Sequence, residues 1–177
     1  ASRMPEPTLR IWTRKAEGNI DCLNVSTRTI RMHSAEWSVI LPASLLTELA
    51  VKRDDALPNE TGGSLMGLID HDAKVISIIH ALAAPEDSSG TQSGFTRGKR
   101  RLRHRMDEAR ARSGGLVRYI GEWHSHPPGH SALPSSIDRD QIVDLSSKLE
   151  IDGLPAVSLI IAEGEICLLI GEAHHER

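Results

Sequence analysis

The sequence predicts a mixed α+β fold, because two kinds of hydrophobic periodicity alternate along its 177 residues. Apolar residues recur at helical spacing in three segments, 43–53, 98–113 and 138–149, and short alternating or continuous apolar runs between them indicate strands. The length is that of an ordinary single domain and is sufficient to bury a substantial core. We therefore expect one domain over residues 1–177, with 1–41 as a candidate N-terminal extension.

Strands are predicted ahead of the first helix. The first is expected at 9–14 and further strand-like segments at 22–32, on either side of a turn at Gly18. The alternating apolar residues before Pro42 fit either another strand or the entrance to a helix: Trp37, Val39 and Leu41. The first helix is indicated by apolar residues at helical spacing: Leu45, Leu46, Leu49 and Ala50.

The alternation of strands and helices continues to the end of the chain. A strand hairpin is predicted at 63–69 and 75–81, followed by a loop at 85–98 and a helix at 98–113. A strand at 119–123 and a helix at 138–149 come next. The last two strands are expected at 157–162 and 166–170. Each of the two later helices carries one apolar stripe, which indicates a face packed on the sheet: Leu102, Met106 and Ala109, then Ile142, Leu145 and Leu149.

The densest group of chemically active residues is the H-S-H-P run that begins at His124, followed by Ser135 and Asp138. Two histidines separated by one residue lie on the same face of an extended strand. A strand ending at this pair and a helix beginning near Ser135 can therefore direct His124, His126 and Asp138 at one point. Three protein ligands with a fourth position left for water is the arrangement of catalytic zinc.

Glu60 is the best candidate for the carboxylate that such a site needs. An activated water must lose its proton to a nearby group, which then passes it to the leaving amine. Glu60 precedes Gly62 and Gly63, which lack side chains and let the backbone approach closely. A Glu before two glycines is weak evidence by itself, and Ser135 with Asp138 alone would fit a helix N-cap. The order of all these residues together favours a metal site.

These motifs strongly resemble the JAMM/MPN zinc metalloproteases, whose pattern is a Glu before small residues, then H-[ST]-H-P, a short spacer and S-x-x-D. The resemblance covers roughly residues 42–171 and implies a curved mixed β-sheet flanked by helices. It also implies hydrolysis of isopeptide or peptide bonds after the C-terminus of a ubiquitin-like protein. It assigns one Zn²⁺ per chain to His124, His126 and Asp138, general acid/base catalysis to Glu60, and polarisation of the scissile carbonyl to Ser135.

The spacer between Pro127 and Ser135 contains seven residues, one more than is usual in the family. The adjacent Ser136 is therefore an alternative to Ser135. His130 in this spacer is close enough to the motif to contact substrate or metal, although a solvated loop histidine is the simpler interpretation. The histidines elsewhere are expected to be solvated: His33, His71, His80, His104, His174 and His175.

The charge distribution raises a second class of function. The net charge is −3, yet residues 97–112 hold eight basic and two acidic residues, and the remainder holds 13 basic and 22 acidic ones. Such a basic helix could contact nucleic acid, but the segment lacks stacking aromatic residues, and a solvated or protein-binding face is favoured. We therefore predict Arg100, Arg101 and Arg103 as substrate-binding residues that face an acidic modifier surface, and we expect no nucleic-acid partner.

The residues Gly121, Glu122 and Trp123 before the histidines narrow the resemblance to bacterial JAB proteins encoded beside ubiquitin-like activating and conjugating enzymes in antiphage operons. One branch accompanies cyclic-oligonucleotide (CBASS) systems and trims conjugates of the nucleotidyltransferase's own C-terminus. Another accompanies a ubiquitin-like protein (Bil systems), and the compact build favours this one. Two alternatives stay open: an inactive JAMM scaffold, which the intact motif argues against, and a RadC-like DNA-associated JAB protein.

Cysteine usage and hydropathy bear on the compartment. Cys22 and Cys167 show no paired spacing and are expected to be plain core residues. We find no secretory leader and no apolar run long enough for a membrane helix. The sequence therefore predicts a reduced, cytoplasmic protein without a membrane partner.

Overall fold

The computed structural model describes residues 8–14, 17–26, 28–34 and 36–172. His174 and His175 lie outside the described residues. In the described ranges the chain forms eleven strands, three α-helices and a short 3₁₀ turn at Glu150–Asp152. The strands are β1 Thr8–Arg14, β2 Ile20–Ser26, β3 Thr29–Ser34, β4 Trp37–Pro42, β5 Gly62–Asp70, β6 Val75–Ala83, β7 Ser89–Thr91, β8 Gly94–Thr96, β9 Arg118–Ser125, β10 Ala156–Ile161 and β11 Ile166–Gly171. The helices are α1 Ala43–Ala56, α2 Leu102–Arg112 and α3 Ser136–Leu149.

Seven strands form one mixed sheet in the order β11-β10-β9-β5-β6-β4-β3. β10 runs parallel to β9 and β4 runs parallel to β6, whereas the other neighbours are antiparallel. The predicted α+β class, with a curved mixed sheet flanked by helices, is confirmed. None of the described helices is long and apolar enough to cross a membrane.

Helices cover both faces of this sheet, because adjacent residues of a strand point in opposite directions. Leu65 packs in the cluster that contains Leu45 and Leu49 of α1. The next residue, Met66, packs against Leu102 of α2 instead. α3 lies with α2 on that second face, and the apolar stripes predicted for these two helices are the ones that pack inward.

The segment predicted as a candidate extension, 1–41, contains β1, β2, β3 and most of β4. β3 and β4 lie at one edge of the seven-stranded sheet, whereas β1 pairs with β2 in a separate hairpin. The alternation before Pro42 is that of a strand, with Trp37, Val39 and Leu41 buried.

The loop predicted over 85–98 contains two short strands, so the prediction is wrong at residues 89–91 and 94–96. β7 and β8 form a short antiparallel hairpin within it. The backbone amide of Glu60 donates a hydrogen bond to the Thr91 carbonyl at 2.8 Å, which holds the hairpin beside the start of β5. The strands of this hairpin are three residues long with Phe95 as their one large apolar side chain, so they lack the alternation of hydrophobicity by which strands are normally predicted.

α2 begins at Leu102, four residues later than predicted. The carboxylate of Asp87 accepts hydrogen bonds from the backbone amides of Lys99 and Arg100, both at 2.9 Å. These amides are therefore satisfied outside a helix, and Arg101 takes a positive φ of 54° just before the helix starts. The same hydrogen bonds hold the pKa of the Asp87 carboxyl below its usual value, and the bond from Lys99 has the largest effect.

Both cysteines are free thiols. Cys22 is exposed, so the expectation of a core residue is wrong there, because its strand β2 belongs to the separate hairpin. Cys167 is partly buried and packs against Ile160 and its neighbours.

Candidate metal centre

His124, His126 and Asp138 come together where β9 ends and α3 begins. Their ligand-type atoms all lie within 4.8 Å of one another. His124 Nε2 is 3.3 Å from His126 Nε2 and 3.0 Å from Asp138 Oδ1. Two tetrahedral ligands held at about 2.0–2.2 Å from one ion are about 3.3–3.6 Å apart. The observed spacing therefore leaves these three side chains close to the geometry that a single metal ion requires.

The hydrogen bond of the His126 ring determines which of its nitrogens faces the cluster. Nδ1 lies 2.6 Å from the carbonyl oxygen of Ser131. Because a carbonyl only accepts, Nδ1 carries the proton and donates it. In the neutral imidazole this leaves Nε2 with its lone pair available to a metal, which is the arrangement that metal-binding histidines usually have.

Ser135 caps α3 and also orients Asp138. Its hydroxyl accepts a hydrogen bond from Asp138 N at 3.2 Å and donates one to Asp138 Oδ2 at 2.7 Å, and its backbone amide donates to the same oxygen at 2.7 Å. The helix cap considered as an alternative from the sequence is thus present, and it coexists with the cluster. Oδ2 is held by the cap, while Oδ1 faces His124. Ser136 is the first helical residue, and its side chain is exposed.

The carboxylate of Asp138 is charged in this arrangement. Burial acts to raise its pKa, but the hydrogen bonds from His124 and Ser135 outweigh burial and hold the pKa well below its usual value. This charged carboxylate has Oδ1 3.0 Å from His124 Nε2 and Oδ2 3.7 Å from His126 Nε2, and it is a suitable donor for a divalent cation.

Glu60 lies next to this cluster because of the pairing between β5 and β9. The two strands run antiparallel with Gly62 opposite His124. One residue further on, Ser125 N donates to the Thr61 carbonyl at 2.7 Å and Thr61 N donates to Ser125 Oγ at 2.9 Å. This reciprocal pair fixes the residue before β5 against the histidine strand. Burial raises the pKa of Glu60, and the two nearby imidazoles oppose that rise.

The glycines after Glu60 are required by close backbone contacts, as the sequence indicated. A Cβ on Gly62 would lie 2.5 Å from the carbonyl oxygen of Trp123, and one on Gly63 would lie 2.0 Å from that of Leu82. Any larger residue would push β5 away from its neighbours and move Glu60 with it.

The cluster opens into a cleft of about 760 Å³ that Glu60, the two histidines, Asp138 and Ser135 all line. Residues 91–97 of the β7–β8 hairpin border it on one side, and Ile137, Gln141 and Leu145 of α3 border it as well. His130 also lines the cleft, where it is exposed and close enough to Glu60 to act on its charge. The histidines expected to be solvated are exposed wherever the structure describes them: His33, His71, His80 and His104.

Arg97 connects the hairpin to the floor of the cleft. Its guanidinium contacts Glu122 of β9, with Nη2 2.7 Å from Oε1 and Nε donating to the same oxygen at 3.0 Å. The hydroxyl of Tyr119 donates to that oxygen at 2.9 Å. Burial and the charge of Glu122 raise the pKa of Tyr119, so this hydroxyl stays protonated.

The three arginines predicted to bind substrate lie outside the cleft. Arg100 is exposed and pairs with Glu86 at 3.2 Å, and Arg101 is exposed at the start of α2. Arg103 lines an adjoining groove of about 420 Å³, which shares Arg97 with the cleft. Apolar residues of α2 and α3 form the floor of this groove: Leu102, Met106, Leu145 and Leu149.

Sequence reasoning assigned no role to three residues that contact the site. Ser125 lies between the two histidines of the motif, so the sequence could have indicated its hydroxyl as a group that contacts the site. Ser131 acts through its main-chain carbonyl, which no side-chain pattern reveals. Arg53 of α1 donates from Nε to the His126 carbonyl at 3.0 Å, and the signal for it is a charge that continues the apolar stripe of Leu45 and Leu49.

The chain matches the model of prokaryotic homologs of the JAB domain over residues 42–171. It is 30% identical over 139 residues to the "CD-NTase/cGAS isopeptidase" of Enterobacter hormaechei subsp. hoffmannii (strain UCI 50), which covers 78% of this chain and 75% of that protein. It is 34% identical over 80 residues to "Probable metalloprotease y4qB" of Sinorhizobium fredii (strain NBRC 101917 / NGR234), covering 45% of this chain and 48% of that one. The solution structure of protein DSY2949 from Desulfitobacterium hafniense is 20% identical, with a TM-score of 0.46 over 75% of this chain and 88% of that chain.

The names of the two relatives and the His-His-Asp cluster support a metal-dependent hydrolase of the JAB family. The family model spans well over half of the chain and includes Glu60, both histidines and Asp138. The chain therefore belongs to the family of prokaryotic homologs of the JAB domain.

Proposed function

We propose that this protein is a zinc-dependent isopeptidase that cleaves after the C-terminal tail of a ubiquitin-like protein in a bacterial antiphage conjugation system. The observation that carries the proposal is the convergence of His124 Nε2, His126 Nε2 and Asp138 Oδ1 beside Glu60 in an open cleft. Two imidazoles and one carboxylate are a donor set of catalytic zinc, with the fourth position left free. When bound, zinc would lower the pKa of a water molecule and polarise the scissile carbonyl.

Glu60 is the general acid/base in this proposal. It takes the proton from the attacking water and delivers it to the leaving nitrogen when the amide C–N bond breaks. Its partial burial raises its pKa, which suits a carboxylate that must hold a proton during the reaction. The Thr61–Ser125 pair keeps this carboxylate beside the two histidines.

Ser135 polarises the scissile carbonyl, and its contacts define how it does so. A hydroxyl has one proton, and here that proton is directed at Asp138 Oδ2. To donate to the substrate, Ser135 Oγ must turn its proton from Asp138 to the carbonyl. The backbone amide of Ser135 still holds Asp138 Oδ2 when this happens.

The substrate tail lies in the cleft as an extended strand. Such tails commonly pair with an exposed strand edge, so backbone hydrogen bonds supply affinity and pockets supply selectivity. The β7–β8 hairpin and the α3 side chains that border the cleft are suited to this role. Arg100, Arg101 and Arg103, outside the cleft, attract the acidic surface of the folded modifier from a distance.

A second substrate class is supported by one of the relatives. The chain is 30% identical to a protein named CD-NTase/cGAS isopeptidase. That name supports conjugates of a CD-NTase, the substrate class of the CBASS branch, beside the ubiquitin-like protein of the Bil branch. The activating and conjugating enzymes of the same system would be partners in either case.

The test is cleavage of two matched fusions. In each, a fluorescent protein follows the C-terminus of the ubiquitin-like protein or of the CD-NTase from the same genome. We expect the zinc-loaded protein to cut one of them directly after the tail, EDTA to stop cleavage, and added zinc to restore it. A Glu60→Gln variant purified in parallel reports any contaminating protease. If the zinc-loaded wild type cuts neither fusion, the proposal fails.

A further inference from the structure

Arg53 is a charged side chain at a position where the fold calls for an apolar one. Leu45, Leu49 and Arg53 occupy successive turns on the buried face of α1, and Arg53 is only 5% exposed. Arginine is almost never fully buried unless it is paired. An apolar residue of similar volume is often as stabilising as a buried ion pair, or more so.

The contacts of Arg53 do not fully satisfy it. Nη1 lies 2.7 Å from Asp54 Oδ1, on a side chain that is itself 64% exposed. Nη2 is buried, and it has no hydrogen-bond partner in the described part of the chain. The remaining contact is the buried hydrogen bond from Nε to the carbonyl oxygen of His126, at 3.0 Å. Packing alone therefore gives no reason for an arginine at this position, whereas this contact does.

The carbonyl of His126 lies at the point where the chain leaves the sheet. The amide of His126 donates to the Ile161 carbonyl at 2.9 Å. The next residue is Pro127, which has no N–H and turns the chain away from the strand direction. Arg53 then holds the carbonyl side of the same residue, and Ser131 holds the ring through Nδ1 at 2.6 Å. Contacts from three separate segments thus set the direction of Nε2.

We propose that Arg53 is a positioning residue of the metal centre: its guanidinium fixes the His126 peptide, and thereby the direction of Nε2, without contacting metal or substrate. The inference rests on the proposed metal site, and it predicts a defect in metal affinity. Outer partners of metal ligands commonly change metal affinity by roughly 10–100-fold when they are removed.

The test measures zinc affinity by competition with a chelator at a temperature at which the metal-free protein is folded. Arg53→Met should bind zinc about 10–100-fold more weakly than the wild type, and its Co²⁺ derivative should show an altered ligand-field spectrum. Arg53→Lys keeps the charge and one donor, so its zinc affinity should lie between those of the wild type and Arg53→Met. The matched control is Lys52→Met on the same helix, where Lys52 pairs with Glu48 at 3.4 Å near the surface. This control should retain the affinity of the wild type.

The inference is overturned if folded Arg53→Met keeps both the zinc affinity and the Co²⁺ spectrum of the wild type, because Arg53 would then only support the packing of α1. If Arg53→Met does not fold, Arg53→Gln takes its place in the same comparison. If the wild type binds no metal, the proposed function fails, and the inference is decided by ¹⁵N NMR of the metal-free protein. The Nδ1–H signal of His126 should then be lost to exchange in Arg53→Met and kept in Lys52→Met; retention in both would overturn it.

Discussion

Replacing Ser135 by Ala should expose the two roles that this side chain combines. The change removes the acceptor of the Asp138 amide at 3.2 Å and the donor to Asp138 Oδ2 at 2.7 Å. Loss of a serine N-cap costs roughly 0.5–2 kcal/mol. The Ser135 amide keeps its own bond to Oδ2 at 2.7 Å, so we expect the free energy of unfolding to fall by about 1 kcal/mol. If Ser135 also polarises the scissile carbonyl, kcat should fall by about 10²–10³-fold.

Ser135→Gly separates the cap from the chemistry. Glycine at an N-cap costs only about a few tenths of a kcal/mol relative to Ser and has no side-chain donor, so stability in a urea titration should stay close to that of the wild type while kcat is low. Ser136→Ala is the matched control, because Ser136 is the exposed first residue of α3, and it should change neither quantity. Full activity in Ser135→Gly would refute the catalytic role and leave only the cap. A loss of rate in Ser136→Ala alone would move the role to Ser136.

Three further variants test the remaining roles. Glu60→Gln should bind zinc and substrate normally but have a kcat about 10²–10⁴-fold lower; loss of zinc would instead make Glu60 a ligand. His126→Ala should reduce the zinc content, measured by metal analysis, from one per chain towards none, and full activity without metal would contradict the site. Changing Arg100, Arg101 and Arg103 together to Glu should raise KM for a full-length modifier fusion and weaken its salt dependence, with no effect on a short peptide spanning the scissile bond. Unchanged processing with lost affinity for DNA would favour the DNA-associated alternative.

The residues of the cluster could be predicted from the sequence because local rules place most of them. Strand alternation puts His124 and His126 on one face, and a capping pattern marks the start of α3 at Ser135. Their distance from Glu60 could not be predicted, because it depends on the register of β5 against β9, with Gly62 opposite His124. From the sequence, only the resemblance to the family pattern indicated that Glu60 lies beside the cluster. In the fold, main-chain hydrogen bonds between β5 and β9 bring Glu60 there.

The β7–β8 hairpin and the contact of Arg53 with His126 could not be predicted from the sequence. Arg53 is visible as a charge on an apolar stripe, but its partner His126 is 73 residues away along the chain. The strands of the β7–β8 hairpin are three residues long and contain one large apolar residue, Phe95, so they give no periodic signal. In both cases the missing information is a contact between distant segments, not a local preference.

The proposed metal ligands and the proposed acid/base are held by different parts of the fold. The ligands depend on β9 and on the cap of α3, whereas Glu60 is also tied to the hairpin, since its amide donates to the Thr91 carbonyl at 2.8 Å. The hairpin is packed closely there, because a Cβ on Gly90 would lie 2.0 Å from the Glu60 carbonyl oxygen. A tail that binds along the hairpin therefore acts on Glu60 directly and on the ligands only through the sheet. In the proposed mechanism, this couples binding of the correct tail to placement of the proton-transfer group while the metal geometry stays fixed.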